Sequence, residues 1–560
     1  MPRVHRARTN ACLDCAPPQD SVPKDFQEQA SANSHLQQGV ARFQQGNFQS
    51  AMGEFRAAVA VNPADAVAHD YIGMILGESG ELTDAISEFQ QAARLDTSLA
   101  GPHAHLGLAY AKTGQTQTAI VEYQDALRLD PKMLEAQYGL SEICSKLGDL
   151  EGAILLLRSV IHAEPGFAEA HYNLGLNLRN RYNRSEGLRQ KSDLEEAAQE
   201  LKQASDLDAR RPTAFLALGQ ILTDQGDFAH AVDSLKKAVD LDPPNPEYHY
   251  NLGLALRLKG ELDLAGAEFR TALKLAPQHA LARRSLGLVL RESGDLESAG
   301  GELRQSVTQL PDDAQGHHLL GAVLLKENDL NGAIEEFGKA IALDPNLTDA
   351  RAGLSQALQK AGRKSEAQQA SADLRKVKAN AANLGQAMIL VQTAAGNSKN
   401  RDFPAAVRRL QEAVSLSPNL VEAQYQLALA LKQSGDKKKS EEVFREVLRL
   451  DPDHASGHLN LGLLLADHVD VAQAKAELKR ASQLAPSLVE AHAALGRLAR
   501  DSKDWPGAIR EYQAVLAWRP QDRIVHYDLA HSLKANGQAE AAAQELRVAQ
   551  DLASERHGPQ

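Results

Sequence analysis

Aromatic residues make up only 4% of this chain, which has 560 residues but just three cysteines and two tryptophans. A broad globular core takes much of its buried area from large aromatic side chains, so thin layers of small side chains fit this composition better. Cys12 and Cys15 form a lone CxxC near the start, whereas a structural zinc site needs a second pair of ligands. The cysteines therefore predict no metal site.

The chain also lacks an excess of basic residues and any long apolar run. Its 61 Lys and Arg against 73 Asp and Glu give a net charge of -12, which argues against a duplex-binding surface and against a polybasic membrane anchor. The longest apolar runs, at 387–391 and 461–466, are far shorter than the roughly 18 residues of a membrane-spanning helix. We expect no nucleic-acid partner and no membrane insertion.

Sequence motifs of catalysis are missing as well. The sequence contains no GxxxxGK[ST], HExxH or GxSxG, and no GxGxxG that follows a strand. We predict that the protein is not an enzyme, that it has no catalytic residue, and that it binds no cofactor or metal.

What the chain does contain is a repeat. A small residue recurs fifteen times, and twelve of the fourteen steps between copies are 34 residues long. The small residues are Gly39, Gly73, Gly107, Ser141, Gly175, Gly219, Gly253, Gly287, Gly321, Ser355, Ala394, Ala428, Gly462, Gly496 and Ala530. In most copies Ala follows 12 positions later, a bulky apolar residue 16 positions later and Pro 24 positions later. Because proline cannot continue a helix, each copy ends there.

Each copy has the spacing of two helices joined by a turn. Around Gly260, the residues Leu252, Leu256, Ala265 and Phe269 recur at helical spacing on both sides of the glycine. Ten copies have Gly at this turn, where we predict a left-handed backbone that closes the first helix. The small residue and the Ala are predicted to lie where the two helices cross, since only short side chains let backbones approach so closely.

This pattern resembles the tetratricopeptide repeat over about 33–554. The resemblance implies an all-α, right-handed superhelical solenoid of about fifteen helix-turn-helix repeats. We predict a flexible N-terminal tail at 1–33, a block of ten repeats at 34–379, a block of five repeats at 380–554, and a short tail at 555–560. An insertion near 180–192 is predicted to lengthen the turn between the two helices of the fifth repeat. In nine copies the family's leading aromatic is replaced by histidine, namely His35, His69, His103, His171, His249, His317, His458, His492 and His526.

These histidines recur once per repeat, whereas a metal needs three or four ligands that converge on one point. We therefore predict that they pack between successive helix pairs.

The resemblance also implies a partner-binding concave face, lined by the first helix of each pair. Its candidate residues are Tyr172, Asn173, Arg179, Tyr250, Asn251, Arg257, Arg284, Arg291 and Asn460. In related repeats such an Asn hydrogen-bonds the backbone of a ligand, and arginine offers bidentate hydrogen bonds to carboxylates, which would favour acidic peptides. The alternative is that these are solvated side chains on a helix face. The family's clamp for chaperone C-termini is disfavoured, because Leu288 and Leu319 stand where Asn is required.

We predict a scaffold or adaptor that binds proteins or peptides on its concave face. The alternative is a non-catalytic targeting subunit of a glycosyltransferase or secretion assembly, because HYNLGLAL at 249–256 resembles the repeats of protein O-GlcNAc transferases. A self-assembling rod is a third possibility, and the sequence leaves the oligomeric state open. No apolar stretch follows the basic start, so we expect a cytoplasmic protein, or an exported one if the native start lies upstream.

Overall fold

The computed structural model describes residues 24–184, 191–467 and 470–555. Over these ranges the chain forms 29 α-helices, most of them 13 or 14 residues long. They are α1 (Lys24–Gln44), α2 (Phe48–Val61), α3 (Ala66–Glu78), α4 (Leu82–Leu95), α5 (Ala100–Lys112), α6 (Thr116–Leu129), α7 (Leu134–Leu147), α8 (Leu150–Ala163), α9 (Ala168–Arg184), α10 (Lys191–Leu207), α11 (Pro212–Gln225), α12 (Phe228–Leu241), α13 (Pro246–Lys259), α14 (Leu262–Leu275), α15 (Ala280–Glu292), α16 (Leu296–Gln309), α17 (Ala314–Lys326), α18 (Leu330–Leu343), α19 (Thr348–Lys360), α20 (Lys364–Lys399), α21 (Phe403–Leu416), α22 (Val421–Ser434), α23 (Lys437–Leu450), α24 (Ala455–Ala466), α25 (Val471–Leu484), α26 (Val489–Asp501), α27 (Trp505–Trp518), α28 (Arg523–Ala535) and α29 (Ala539–Glu555).

Within each unit, consecutive helices pack as pairs that follow the sequence repeats, which confirms the predicted all-α repeat fold. Fifteen pairs give 29 helices because α20 is both the second helix of the tenth pair and the first helix of the eleventh. The chain divides into two compact units, Met1–Gly139 and Leu140–Gln560. None of the described helices combines the length and apolarity that crossing a membrane requires.

In most repeats the small residue lies against the bulky residue 16 positions later. A Cβ atom on Gly253 would stand 2.6 Å from the ring of Phe269, and one on Gly73 would stand 2.6 Å from the ring of Phe89. Where Leu replaces the aromatic, the backbone of the second helix is also near, and a Cβ on Gly175 would lie 3.1 Å from the backbone oxygen of Ala197. The two helices of a pair therefore cross at the small residue.

The turn glycines have the left-handed backbone predicted for them. All ten have φ between 75° and 93°. In three other repeats Asn328, Arg401 and Lys503 take the same place, with φ of 68°, 60° and 61°. A side chain in this region is strained, so these three turns are formed at a cost that glycine avoids.

Within unit Leu140–Gln560 the core is a series of thin layers shared by neighbouring pairs. One such layer joins Leu303, Leu320, Val323, Phe337 and Ala340, which come from α16, α17 and α18. Each pair thus buries its apolar faces against the next pair, as expected when a single repeat cannot form its own core.

Three predicted boundaries can be compared with the helices. The predicted tail 1–33 overlaps α1, which begins at Lys24. The insertion near 180–192 was expected to lengthen only the turn, but it also extends both helices of the fifth pair to 17 residues each. The block boundary at 379–380 lies inside α20, a helix of 36 residues that runs through it without a break.

Candidate partner-binding surface

The predicted concave face is the surface formed by the first helices of the pairs, which we call the first-helix face. Within unit Leu140–Gln560, α9, α11, α13, α15 and α17 each contact the first helix of the next pair. Eight of the nine candidate residues lie on three of these helices, with Tyr172, Asn173 and Arg179 on α9, Tyr250, Asn251 and Arg257 on α13, and Arg284 and Arg291 on α15. Asn460 lies further along, on α24.

Two candidate arginines bridge adjacent first helices. Arg179 donates from Nη1 to Oε1 of Gln220 at 2.7 Å and from Nη2 to Asp224 at 3.1 Å, both on α11. Arg257 donates to Oε1 of Glu292 on α15 at 3.2 Å. Both guanidinium groups are thus paired with carboxylates of the protein itself. The surface is consequently less basic than a count of its arginines indicates.

The two arginines of α15 differ from each other. Arg284 donates from Nη1 to both carboxylate oxygens of Asp313, at 2.8 and 2.9 Å, and the side chain of Asp313 is only 8% exposed. The guanidinium of Arg291 forms no ion pair or hydrogen bond with any described residue, and Arg291 is partly buried. Arg291 is therefore the candidate arginine that can pair with a partner's carboxylate without first losing one of its own.

The side-chain amides of Asn251 and Asn460 are already engaged. Asn251 donates from Nδ2 to the backbone oxygen of Glu247 at 2.8 Å, and its Oδ1 accepts from Nε2 of Gln220 at 2.9 Å. Asn460 donates to the backbone oxygen of Ser456 at 2.9 Å and accepts from Nζ of Lys432 at 3.0 Å. Each amide oxygen has two lone pairs, so a ligand N–H can still bond to the one that Gln220 or Lys432 does not use.

The candidate tyrosines pack on the residue that precedes the next first helix. The Arg211 guanidinium lies 4.2 Å from the ring centre of Tyr172. The ring centre of Tyr250 lies 4.9 Å from that of His279. Burial raises the pKa of Tyr250, so its hydroxyl stays neutral well above physiological pH. These contacts fix the orientation of the tyrosine rings.

The sequence prediction missed the role of His279 and its counterpart His454, whose ring centre lies 4.8 Å from that of Tyr425. Each caps a first helix, since Nδ1 accepts from a backbone N–H three residues later, at 3.2 Å for His279 and 3.0 Å for His454. A neutral imidazole is needed for this, and burial lowers the pKa of His454 accordingly. A histidine at the N-cap position, just before a predicted first helix, is the signal that could have found them.

The nine repeat histidines form polar contacts that the packing prediction did not include. Each places Nδ1 between 2.5 and 2.7 Å from a Glu carboxylate on the second helix of the same pair. In six of them Nε2 also lies 2.9–3.2 Å from the backbone oxygen of the proline six residues earlier. We call the six complete sets histidine clasps: His69–Glu88–Pro63, His171–Glu200–Pro165, His249–Glu268–Pro243, His317–Glu336–Pro311, His458–Glu477–Pro452 and His526–Glu545–Pro520. A clasp ties the first helix to its second helix and to the preceding loop.

Two of the other repeats have glutamine at the histidine position. Gln137 and Gln424 donate from Nε2 to the backbone oxygens of Pro131 and Pro418, at 2.7 and 3.0 Å. In the histidine repeats, except the lengthened fifth, Glu stands nineteen residues after the histidine. At the same distance after the two glutamines the sequence has Leu156 and Val443. The glutamate thus accompanies histidine and is absent where glutamine stands. This pairing was visible in the sequence.

Among the residues that the structure describes, one group of side chains has the composition of a metal site. Ligand atoms of His103, Glu122 and Asp125 lie within 4.8 Å of one another. His103 is hydrogen-bonded to Glu122 at 2.7 Å, and Arg128 donates to Asp125 at 3.3 Å. The arrangement is satisfied by its own contacts. Of the three cysteines, Cys12 and Cys15 lie outside the described residues, and Cys144 is fully buried with its pKa raised well above the ordinary value by burial.

A second region of unit Leu140–Gln560 brings distant repeats together. Asp149, the N-cap of α8, accepts hydrogen bonds from the backbone N–H and Oγ of Ser487 at 2.9 and 2.7 Å, across 338 residues of sequence. Burial raises the pKa of Asp149, although these hydrogen bonds oppose the shift. A cavity of about 800 Å³ lies beside this contact, lined by Gly148 and Arg184 on one side and by Glu422 and His454 on the other.

Several family models match the chain. Tetratricopeptide repeat models match residues 36–100, 110–174, 219–258, 250–314, 421–454 and 493–557. A model described as the TPR domain of cytochrome c-type biogenesis protein H matches residues 292–411. No curated protein matches the chain.

Solved structures of similar proteins match with low overall superposition. YrrB, described as a TPR protein with an unusual peptide-binding site, is 23% identical, with 35% of this chain and 95% of that chain covered and a TM-score of 0.28. MamA from Desulfovibrio magneticus RS-1 is 24% identical, with 32% and 95% covered and a TM-score of 0.28. Yeast Tom70 is 14% identical, with 80% and 99% covered and a TM-score of 0.31.

Proposed function

Because this chain is a tetratricopeptide repeat protein, we propose that it is a non-catalytic scaffold that binds an extended segment of a partner protein on its first-helix face. The observation that supports this most is the set of tyrosine, asparagine and arginine side chains on α9, α13 and α15. Partly buried leucines, Leu176, Leu254 and Leu288, lie between these polar groups. Such a surface offers apolar contacts together with groups that fix the direction of a bound chain.

Photo-crosslinking tests which helix layer the partner contacts. Leu258 on first helix α13 and Leu264 on second helix α14 belong to the same repeat and are 43% and 53% exposed. A photoreactive amino acid at position 258 is expected to crosslink a partner in native lysate, and the same amino acid at position 264 is the matched control. Equal crosslinking at the two positions, or crosslinking only at 264, would exclude the first-helix face.

We further propose that acidic segments are preferred, with Arg291 as the main cation. Arg257→Glu with Arg291→Glu is expected to weaken partner capture without changing helicity. The control is Arg270→Glu with Arg304→Glu, which makes the same change of charge on the exposed second helices α14 and α16. Loss of capture with both pairs would indicate a general charge effect and contradict the preference.

The alternative function, a targeting subunit of a glycosyltransferase or secretion assembly, stays a prediction. It uses the same surface and differs only in what the partner does. Identification of the crosslinked partner as a transferase, its substrate or a secretion component would favour it.

A further inference from the structure

We propose that each histidine clasp holds one proton more than a neutral imidazole and an ionised carboxylate hold together. The repeats with a clasp therefore lose stability as the pH rises, whereas the repeats with glutamine do not. The tetratricopeptide array thereby becomes sensitive to pH at defined repeats. This follows from the hydrogen-bond partners of the six complete clasps defined above.

The first step is a count of donors. A neutral imidazole has one N–H and one lone pair, whereas a carboxylate and a backbone carbonyl only accept hydrogen bonds. In the clasp of His317, Nδ1 lies 2.5 Å from Oε2 of Glu336 and Nε2 lies 3.0 Å from the backbone oxygen of Pro311. Two acceptors need two protons. The second proton is held on Nδ1, or on Glu336 with Nδ1 accepting, and the count is the same in both cases.

The second step concerns the charges around a clasp. His317 and Glu336 are the most buried pair, with side chains 7% and 11% exposed. Nζ of Lys339 donates to the other oxygen of Glu336 at 2.8 Å. Arg304 of α16 and Asp329, the N-cap of α18, line the same cleft. Around the ring there are thus two carboxylates and two cations, so the surroundings alone do not repel the proton.

The clasp of His526 gives the direction of the effect. Burial lowers the pKa of His526, but its hydrogen bonds to Glu545 and the Pro520 carbonyl raise it, and the net shift is upward. Asp522 adds to the upward shift. A raised native pKa stabilises the fold fully below the unfolded value of about 6.5, and this contribution is lost as the pH rises through the native pKa.

The protein contains its own controls. Gln137 and Gln424 make the same hydrogen bond to a proline carbonyl but do not titrate. The capping histidines provide a contrast, because His279 and His454 accept a backbone hydrogen bond on Nδ1 and need no second proton. Their repeats should therefore not gain stability from protonation.

Hydrogen–deuterium exchange of the full chain, read by mass spectrometry from pH 6 to pH 9, tests the proposal. After correction for the intrinsic exchange rate, the opening constant of peptides from α17 and α18 should increase by up to about tenfold per pH unit, the value for one linked proton. Peptides from α7 and α22, which contain Gln137 and Gln424, should stay constant. The same pH dependence in both sets of peptides would overturn the proposal.

A variant that copies the chain's own glutamine repeats sharpens the test. His317→Gln with Glu336→Leu keeps the hydrogen bond to Pro311 and reproduces the combination found at Gln137 and Leu156. Exchange from α17 and α18 should then become independent of pH, while the His249 clasp keeps its dependence. If the variant does not fold, nitrogen NMR of ¹⁵N-histidine in the wild-type chain decides the matter. The proposal requires two protons shared among Nδ1, Nε2 and the carboxylate. It would be refuted if, in every clasp, one ring nitrogen carried no proton and accepted no hydrogen bond.

Discussion

Replacing Gly253 with valine is expected to destabilise the seventh helix pair by about 1–3 kcal/mol. A Cβ at this position would stand 2.6, 2.8 and 3.0 Å from three atoms of the Phe269 ring, and that ring is fully buried. Overpacking of this kind costs about 1–3 kcal/mol. The better helix propensity of valine over glycine returns only roughly 0.3–0.5 kcal/mol. No repeat has a residue larger than Ser at this place.

The measurement is the urea unfolding midpoint by circular dichroism, together with local hydrogen exchange, because long repeat arrays do not unfold as one cooperative unit. Gly338→Val is the control, since nothing lies within 4 Å of a Cβ there, and it should change stability by less than about 0.5 kcal/mol. Combining Gly253→Val with Phe269→Ala should cost less than the sum of the two changes. Full additivity, or no loss from Gly253→Val, would refute the packing argument.

Three further predictions concern single contacts. Under oxidising conditions Gly152→Cys with Ser487→Cys should form a disulfide, because a Cβ on residue 152 would lie 2.7 Å from that of Ser487 and a separation by about 1 Å brings the two atoms to the distance that a disulfide needs; a non-reducing gel without the crosslink would contradict the contact. Lys503→Gly should stabilise the fold by roughly 1 kcal/mol, because Lys503 has φ of 61°, a left-handed backbone that glycine adopts without strain. Thermal unfolding measures this gain, and the control Lys503→Ala should show none. His454→Ala should cost about 1 kcal/mol in denaturant unfolding, because Nδ1 caps α24 through the N–H of Gly457, and an equal loss for His454→Asn would argue against capping.

The sequence was sufficient to predict the helix pairs because each repeat encodes its structure locally. Gly253 and Phe269 lie 16 residues apart, and the turn at Gly260 needs a left-handed backbone that few other residues adopt. Fifteen copies in phase made these local signals unambiguous. The insertion in the fifth repeat broke the period. The prediction placed the inserted residues in a longer turn, whereas the structure shows that part of them extend α9 and α10.

The candidate surface was predicted less completely, because its chemistry depends on neighbouring repeats. Arg179 is paired with Asp224, 45 residues further along, and Arg284 with Asp313, 29 residues further along. Such partners differ from repeat to repeat, so the basic positions on the first helices do not by themselves reveal them. The histidine clasps show the opposite case. Their glutamates follow at a nearly constant spacing, and comparing the repeats with one another would have predicted the contact.

These pairings bear on how the first-helix face could select a partner. A partner carboxylate that binds Arg284 must displace Asp313, which would leave a largely buried carboxylate without its cation, and this costs several kcal/mol. At Arg257 the displaced group, Glu292, is 32% exposed and can return to water at a smaller cost. At Arg291 no carboxylate is displaced. Affinity for an acidic segment should therefore depend most on Arg291, less on Arg257 and least on Arg284, although a count of charges treats the three arginines alike.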